Sequence, residues 1–349
     1  MPNMLSLRSV VLLFMCVSVV SAQQCPAGLC RADSDCPDSY CMNGSGKKPV
    51  KDDCFYCHVN IPTVKLAGDV EMPMAGLGTW QYNDSVAYDA VSKAMNLGYT
   101  HVDCALGYGN QVAVGKALKD SGRTRDSYFI TSKIPGGLNA SAATEQLNLA
   151  LQQLQLDYVD LMLVHFPAAW SGQGGKALRV EEWKALEAFQ KSGKARAIGV
   201  SHYCKRHLQD IMAIATVPIA VNQVQYHVGM GSEGPNATDD KAFCDKHGIL
   251  YESFSPLCGP CGTNELKDGP LVSGIGKKYG KSGAQVSLKW IVQSGIPVIP
   301  KSDSLEHLRE NIDLFDWKLD DADMATLTRA KSPPVAGAGD GTSGDCAVE

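Results

Sequence analysis

The stretches GYTHVDCALGYGN (98–110), YFITSKIPG (128–136) and LDYVDLMLVHFP (156–167) decide the fold. Each holds a short apolar run that reads as a β-strand. Each also places polar residues suited to chemistry at or just past the strand's carboxyl end: Asp103 and Tyr108, then Lys133, then His165. A parallel α/β barrel keeps its reactive groups at the carboxyl ends of its strands, so this placement marks one rim of such a barrel.

The same alternation continues on both sides. Strands are predicted at 74–78, 101–104, 128–131, 158–164, 195–200, 219–225, 249–254 and 296–299, with helices between them. Gly98, Gly122, Gly193, Gly248 and Gly295 stand between helix end and strand start, where a left-handed residue closes a helix. Eight strands alternating with helices is the count of an α/β fold of the (β/α)8 TIM barrel kind. The helix predicted over 205–215 sets Leu208, Ile211, Met212 and Ala215 on one face, a stripe that packs on the barrel wall. VKLAGDVEMP (64–73) reads as a hairpin turning at Gly68 and Asp69.

The 349 residues allow a barrel domain over 61–331 plus a small extension. With 32 basic and 37 acidic side chains the net charge is −5, which gives no electrostatic reason to expect nucleic acid or an anionic membrane as partner. A small molecule is the expected ligand and a monomer the expected state. Arg8, the apolar run Val10 to Val20 and the small residues Ser21 and Ala22 read as a cleaved signal peptide over 1–22, too short for a membrane span. Cys25, Cys30, Cys36, Cys41, Cys54 and Cys57 crowd into 23–60, a segment too poor in apolar residues to bury a core. In the secretory pathway disulfides would hold it together, and six cysteines leave 15 pairings open. Asn43, Asn83, Asn139 and Asn236 each open an N-glycosylation sequon. The tail 332–349 is rich in Pro, Gly and Ser and reads as flexible.

Over about residues 62–330 the chain resembles the aldo-keto reductases. In that family an Asp and a Tyr five residues apart, a Lys ending the next strand and a His ending the one after form a catalytic tetrad. The resemblance therefore implies that Tyr108 donates a proton to a carbonyl oxygen. Lys133 would lower the phenol's pKa, Asp103 would hold Lys133, and His165 would orient the substrate. It implies NADPH as cofactor. Ser201 and Gln223 match the nicotinamide side, Phe254 in ESFSPL stands where a Tyr usually stacks on that ring, and Ser255 and Leu257 of the same run are expected cofactor contacts. His202 stands where an Asn is usual. Lys301 and Ser302 match the grip on the 2′-phosphate, His307 stands where an Arg is usual, and Glu310 and Asn311 match the adenine side. Trp80 matches a wall of the substrate pocket, which Trp170 would also face, and the hairpin would close the barrel floor.

Several motifs are decoys. GIGKKYGKS (274–282) lacks the first glycine of a phosphate loop and reads as helix; Gly76 and Gly78 lack the third glycine of a dinucleotide fingerprint. The haem-like Cys54-to-His58 run is read as part of the disulfide cluster, no metal site is expected, and Cys346 does not open a prenylation box that ends in Glu. Cys258-Gly-Pro-Cys261 is read as a stable disulfide or two idle thiols rather than a thiol catalyst. Two functions remain: an NADPH-dependent reductase of aldehydes or ketones, secreted or in the lumen of the secretory pathway, and a secreted non-catalytic binding protein on a reductase-like barrel.

Overall fold

Aliphatic and β-branched runs form the centre of the molecule. All six residues of Phe129–Ile134 and all six of Val159–Val164 are buried, as expected for strands with helices outside and packed side chains inside. The structure, a computed structural model, describes residues 29–30, 39–42, 55–231 and 240–334. The expected signal peptide, the expected pairing of the six N-terminal cysteines, Asn43, Asn236, the tail beyond 334 and Cys346 lie outside the described residues.

In chain order the strands are β1 (Leu29–Cys30), β2 (Ser39–Met42), β3 (Phe55–Val59), β4 (Thr63–Lys65), β5 (Glu71–Pro73), β6 (Leu77–Gly78), β7 (His101–Asp103), β8 (Phe129–Ile134), β9 (Val159–Val164), β10 (Ala195–Ser201), β11 (Val221–Gln225) and β12 (Leu250–Phe254). Strands β6 to β12 form one parallel sheet of seven in sequence order. Val298 closes it, bridging Ala75 on one side and Ser253 on the other. Its N–H donates to the Met74 carbonyl at 3.1 Å, and its own carbonyl accepts from Gly76 at 2.9 Å. The run expected as a full strand over 296–299 is thus reduced to a two-sided bridge. Pro297 and Pro300 lack an N–H, which shortens the ladder at both ends. Gly78 is the tight point of this seam, because a Cβ there would lie 2.8 Å from the Ile299 carbonyl oxygen.

Strands β4 and β5 pair antiparallel around Gly68 and Asp69, both at positive φ. Leu66, Val70 and Met72 of this hairpin pack against Phe129, Leu161, Leu163, Ala197 and Val221 inside the barrel. The hairpin therefore seals the amino-terminal floor, and the carboxyl rim is left for chemistry. Strands β1, β3 and β2 form a separate antiparallel sheet in that order, with Cys41 opposite Cys57 in register.

The helix-stop glycines behave as expected: Gly98, Gly122, Gly193, Gly248 and Gly295 have φ between 66° and 96°. The helix Lys205–Met212 buries Leu208 and Ile211 and ends three residues sooner than expected. Asn83 and Asn139 are exposed helix N-caps, each side chain accepting a backbone N–H at 2.9 Å. Residues Pro270–Tyr279 are helical and close at Gly280, so the glycine-rich run there is no phosphate loop. Among the described residues, no helix is long and apolar enough to cross a membrane.

Met72 is fully buried at the floor. Replacing it with Ala removes most of its packed side chain, and Met72→Ala should destabilise the fold by about 2–5 kcal/mol, read as a lowered urea midpoint.

Candidate active site

Three strand ends bring the expected tetrad together. Lys133, next to last in β8, is fully buried and donates to Asp103 Oδ1 of β7 at 2.5 Å, to the Cys104 carbonyl at 3.2 Å and to the Tyr108 hydroxyl at 3.2 Å. An ammonium has three protons and no lone pair, so these three acceptors satisfy it completely. Tyr108 sits in the 3-10 turn Leu106–Tyr108, closed by Gly109 at φ 73°. Because its oxygen accepts from Lys133, its own hydrogen is free to point elsewhere. The His165 ring, one residue past β9, lies edge-on to Tyr108 with centroids 5.5 Å apart.

Burial and charge compete at each group. Desolvation, the largest influence, raises the Tyr108 phenol, and the pull of Lys133 offsets only part of this, leaving it at about 12. The expected lowering by Lys133 is present, but burial outweighs it, and Tyr108 is a protonated donor at neutral pH. Desolvation works against the Lys133 ammonium, yet the charge of Asp103 outweighs it with help from Tyr108, and Lys133 is raised. Burial pushes Asp103 up while Lys133 and Gln223 oppose it. We assign the proton of the pair to Lys133, whose three acceptors leave no place for a neutral amine. Burial, then Lys133 and His202, hold His165 well below the usual range, so its ring is neutral.

Sequence reading missed the support behind Asp103. Gln223 Nε2 donates to Asp103 Oδ2 and to Glu252 Oε2, both at 2.9 Å. Glu252 is fully buried, and desolvation followed by the negative Asp103 raises it to about 8. A neutral Glu252 avoids placing a second negative charge beside Asp103. The signal was available: Glu252 is two residues before Phe254 in a strand, so the two share a face, and an acid there faces the barrel interior.

The remaining expected residues gather on the same rim. Phe166 stacks on His165 at 4.5 Å and on His202 at 4.3 Å, and His202 leans on Phe254 at 4.7 Å. His202 has φ 61°, a conformation in which Asn and His are both enriched, which accounts for His in a position otherwise taken by Asn. Its Nδ1 donates to the His165 carbonyl at 3.0 Å and lies 2.9 Å from Ser201 Oγ, and burial lowers its pKa to about 3. Gln223's amide nitrogen is committed to the two carboxyl groups, leaving its carbonyl oxygen as the end available to a ligand. Ser255 and Leu257 follow β12 in the next turn, half-buried.

Lys301 is exposed, 3.3 Å from Gln81 Oε1 and over the Tyr82 ring. Ser302 Oγ accepts from Ser304 N at 3.2 Å, and Ser304 caps the helix Leu305–Ile312 that carries exposed His307, half-buried Glu310 and buried Asn311. A cation and hydroxyls at a helix N-terminus form a donor set for phosphate. Glu310 accepts from Ser282 Oγ at 3.2 Å. Trp80 is 44% exposed and Trp170 is 73% exposed, edge-on to Phe166, so both are solvent-facing rim aromatics and neither is plain core packing.

The described residues offer one grouping with metal-ligand chemistry, His227 with Cys258 and Cys261.

Comparisons with known proteins agree with this geometry. The pattern of the Aldo/keto reductase family matches residues 74–332. The chain is 41% identical over 275 residues to aldo-keto reductase family 4 member C11 of Arabidopsis thaliana, covering 73% of this chain and 84% of that one. It is 39% identical over 269 residues to the glyoxal reductase of Bacillus subtilis, covering 75% and 90%. A crystal structure of an aldo-keto reductase complexed with NADPH shares the fold with TM-score 0.69 and 31% identity, over 77% of this chain and 87% of that one. The chain belongs to the aldo/keto reductase family.

Proposed function

We propose that the protein is an NADPH-dependent reductase of small aldehydes and ketones. The contact that carries this reading is Lys133 Nζ, held by Asp103 at 2.5 Å and donating to Tyr108 at 3.2 Å on the open rim. A binding scaffold has no need of an acid, its cation and the cation's partner in one cluster. The relatives include a glyoxal reductase and a protein complexed with NADPH, which fits the same chemistry.

The rim suits NADPH. Phe254 offers an aromatic face for a nicotinamide ring beside His202. Ser201 and the free carbonyl oxygen of Gln223 offer polar partners for its amide. Lys301 and Ser302 offer a cation and a hydroxyl to a 2′-phosphate, and Glu310 and Asn311 stand farther along the same helix. When bound, the cofactor supplies a hydride for the carbonyl carbon. Every other part falls to this chain. Tyr108 donates its free hydrogen to the carbonyl oxygen, and the Lys133 ammonium stabilises the phenolate left behind. Neutral His165 offers a hydrogen bond to the same oxygen without adding charge. Trp80 and Trp170 would flank the substrate.

The direct test follows NADPH absorbance with a panel of aldehydes, ketones and sugars. Tyr108→Phe should lose about 10²–10⁴-fold in turnover while keeping NADPH affinity, since it removes a general acid and little else. Wild-type turnover in that variant would remove Tyr108 from its role. With the phenol held at about 12, the protonated donor persists to high pH, and kcat/KM for reduction should stay flat from about pH 7 to about pH 9.

Cofactor choice gives a second test. His307 lacks the planar, always-charged fork of a guanidinium, so NADPH should be preferred over NADH by a modest margin. His307→Arg should widen it by about one charge-assisted hydrogen bond, roughly tenfold or more, and Lys301→Ala should largely erase it. An unchanged ratio of specificity constants in Lys301→Ala would move the phosphate site elsewhere.

We also infer a secretory route from the N-terminal signal, the cysteine cluster and the sequons. Intact mass of protein made in a eukaryotic secretory host should show a chain beginning at Gln23. Retention of residues 1–22 would contradict it.

A further inference from the structure

The turn after β12 holds a pair of cysteines that the carbonyl chemistry does not use. Ser255 and Cys258 both have left-handed backbones, φ 47° and 49°, and Cys258 N donates to the Ser255 carbonyl at 2.8 Å. The 3-10 turn Gly259–Cys261 follows and brings the Cα atoms of Cys258 and Cys261 to 5.3 Å, within the span of a disulfide. The two sulfurs differ in access. Cys258 is fully buried, whereas Cys261 is partly exposed.

Their polar neighbours differ too. Gln225 Nε2 points an N–H at Cys258 Sγ from 3.5 Å. His227 Nε2 lies 4.0 Å from Cys261 Sγ, and its Nδ1 donates to the Val228 carbonyl at 2.7 Å, which leaves Nε2 as the ring's acceptor. Burial holds His227 below its usual pKa, so the imidazole is neutral. His227, Cys258 and Cys261 also form the metal-like grouping, but Nε2 already faces the Gln225 amide at 3.0 Å, and the backbone holds the two cysteines at a separation that a disulfide spans.

We propose that Cys258 and Cys261 form a thiol–disulfide exchange site on the rim, which takes small thiols at Cys261 and is separate from the carbonyl site. An external thiolate attacks Cys261 Sγ. The new bond joins the external sulfur to Cys261, the Cys258–Cys261 bond breaks, and its electron pair leaves on Cys258 Sγ, where the Gln225 N–H stabilises the thiolate. A second thiolate attacks the external sulfur, forming the small disulfide, and Cys261 leaves as a thiolate that takes a proton from water. Two thiols are oxidised and the protein disulfide gains two electrons. Attack at Cys261 is favoured because Cys261 is the partly exposed residue of the pair, its sulfur 3.4 Å from the Pro334 carbonyl, and the departing sulfur has a hydrogen-bond donor waiting. For the reductase reading, the pair's redox state sets the freedom of the turn carrying Ser255 and Leu257. The exchange chemistry itself does not depend on that reading.

The test uses the full chain in a series of reduced and oxidised glutathione mixtures. Each sample is quenched in acid, alkylated and cut with trypsin, and the peptide 247–267, whose only cysteines are Cys258 and Cys261, is weighed. The doubly alkylated fraction should rise from none to all along a two-electron curve. Cys258→Ser should carry one glutathione on Cys261, while Cys261→Ser should react at Cys258 slower by about tenfold or more. No alkylation at any ratio, full alkylation at every ratio, or one zinc per chain protecting both sulfurs would each overturn the proposal. Equal glutathionylation of the two variants would overturn the assignment of Cys261 as the attacked sulfur. None of these readouts needs carbonyl turnover, so the proposal can fail while the reductase reading stands.

Discussion

A buried ammonium governs this rim. Lys133 has no exposed surface, and a charge withdrawn from water is tolerated only where good partners replace its hydration. Its three partners come from the adjacent strand and the turn beyond it: the Asp103 carboxylate, the Cys104 carbonyl and the Tyr108 hydroxyl. The arrangement extends one layer further, since Asp103 is steadied by Gln223, and Gln223 by Glu252 on β12. Groups from β7, β8, β11 and β12 thus depend on one cation. Removing the Asp103 carboxylate would leave an unpaired charge in a dry site.

The rest of the barrel makes that cluster usable. The hairpin fills the floor with Leu66, Val70 and Met72, and the Val298 bridge closes the wall, so the polar cluster sits at the end left open. Above it the rings of Trp170, Phe166, His202 and Phe254 form a chain of contacts across the ends of β9, β10 and β12. Lys133 also orients Tyr108. By donating to the phenol oxygen it directs the phenol's hydrogen away from itself and toward an incoming acceptor.

The sequence carried the barrel and the tetrad because both rest on local signals. Apolar runs and left-handed glycines repeat at regular spacing, and Asp103, Tyr108, Lys133 and His165 each follow a recognisable strand. Quantities that depend on tertiary burial were not legible. Sequence reasoning could see that Lys133 pulls the Tyr108 phenol down, but not that desolvation pushes it up by more. Glu252 went unnoticed because its importance comes from a contact with Gln223 on a different strand. The eighth strand was read too long, since the effect of two prolines on a closing seam shows only when both neighbours are in place.

The account stands on the coupling between Lys133 and Tyr108, and NMR of protein labelled with carbon-13 at the tyrosine ζ position measures it directly. Tyr108→Phe assigns the signal. The Tyr108 resonance should remain that of a protonated phenol beyond the range in which exposed tyrosines ionise, about pH 10, and should move higher still in Lys133→Met. A Tyr108 signal that titrates with the exposed tyrosines and is indifferent to Lys133→Met would contradict the account.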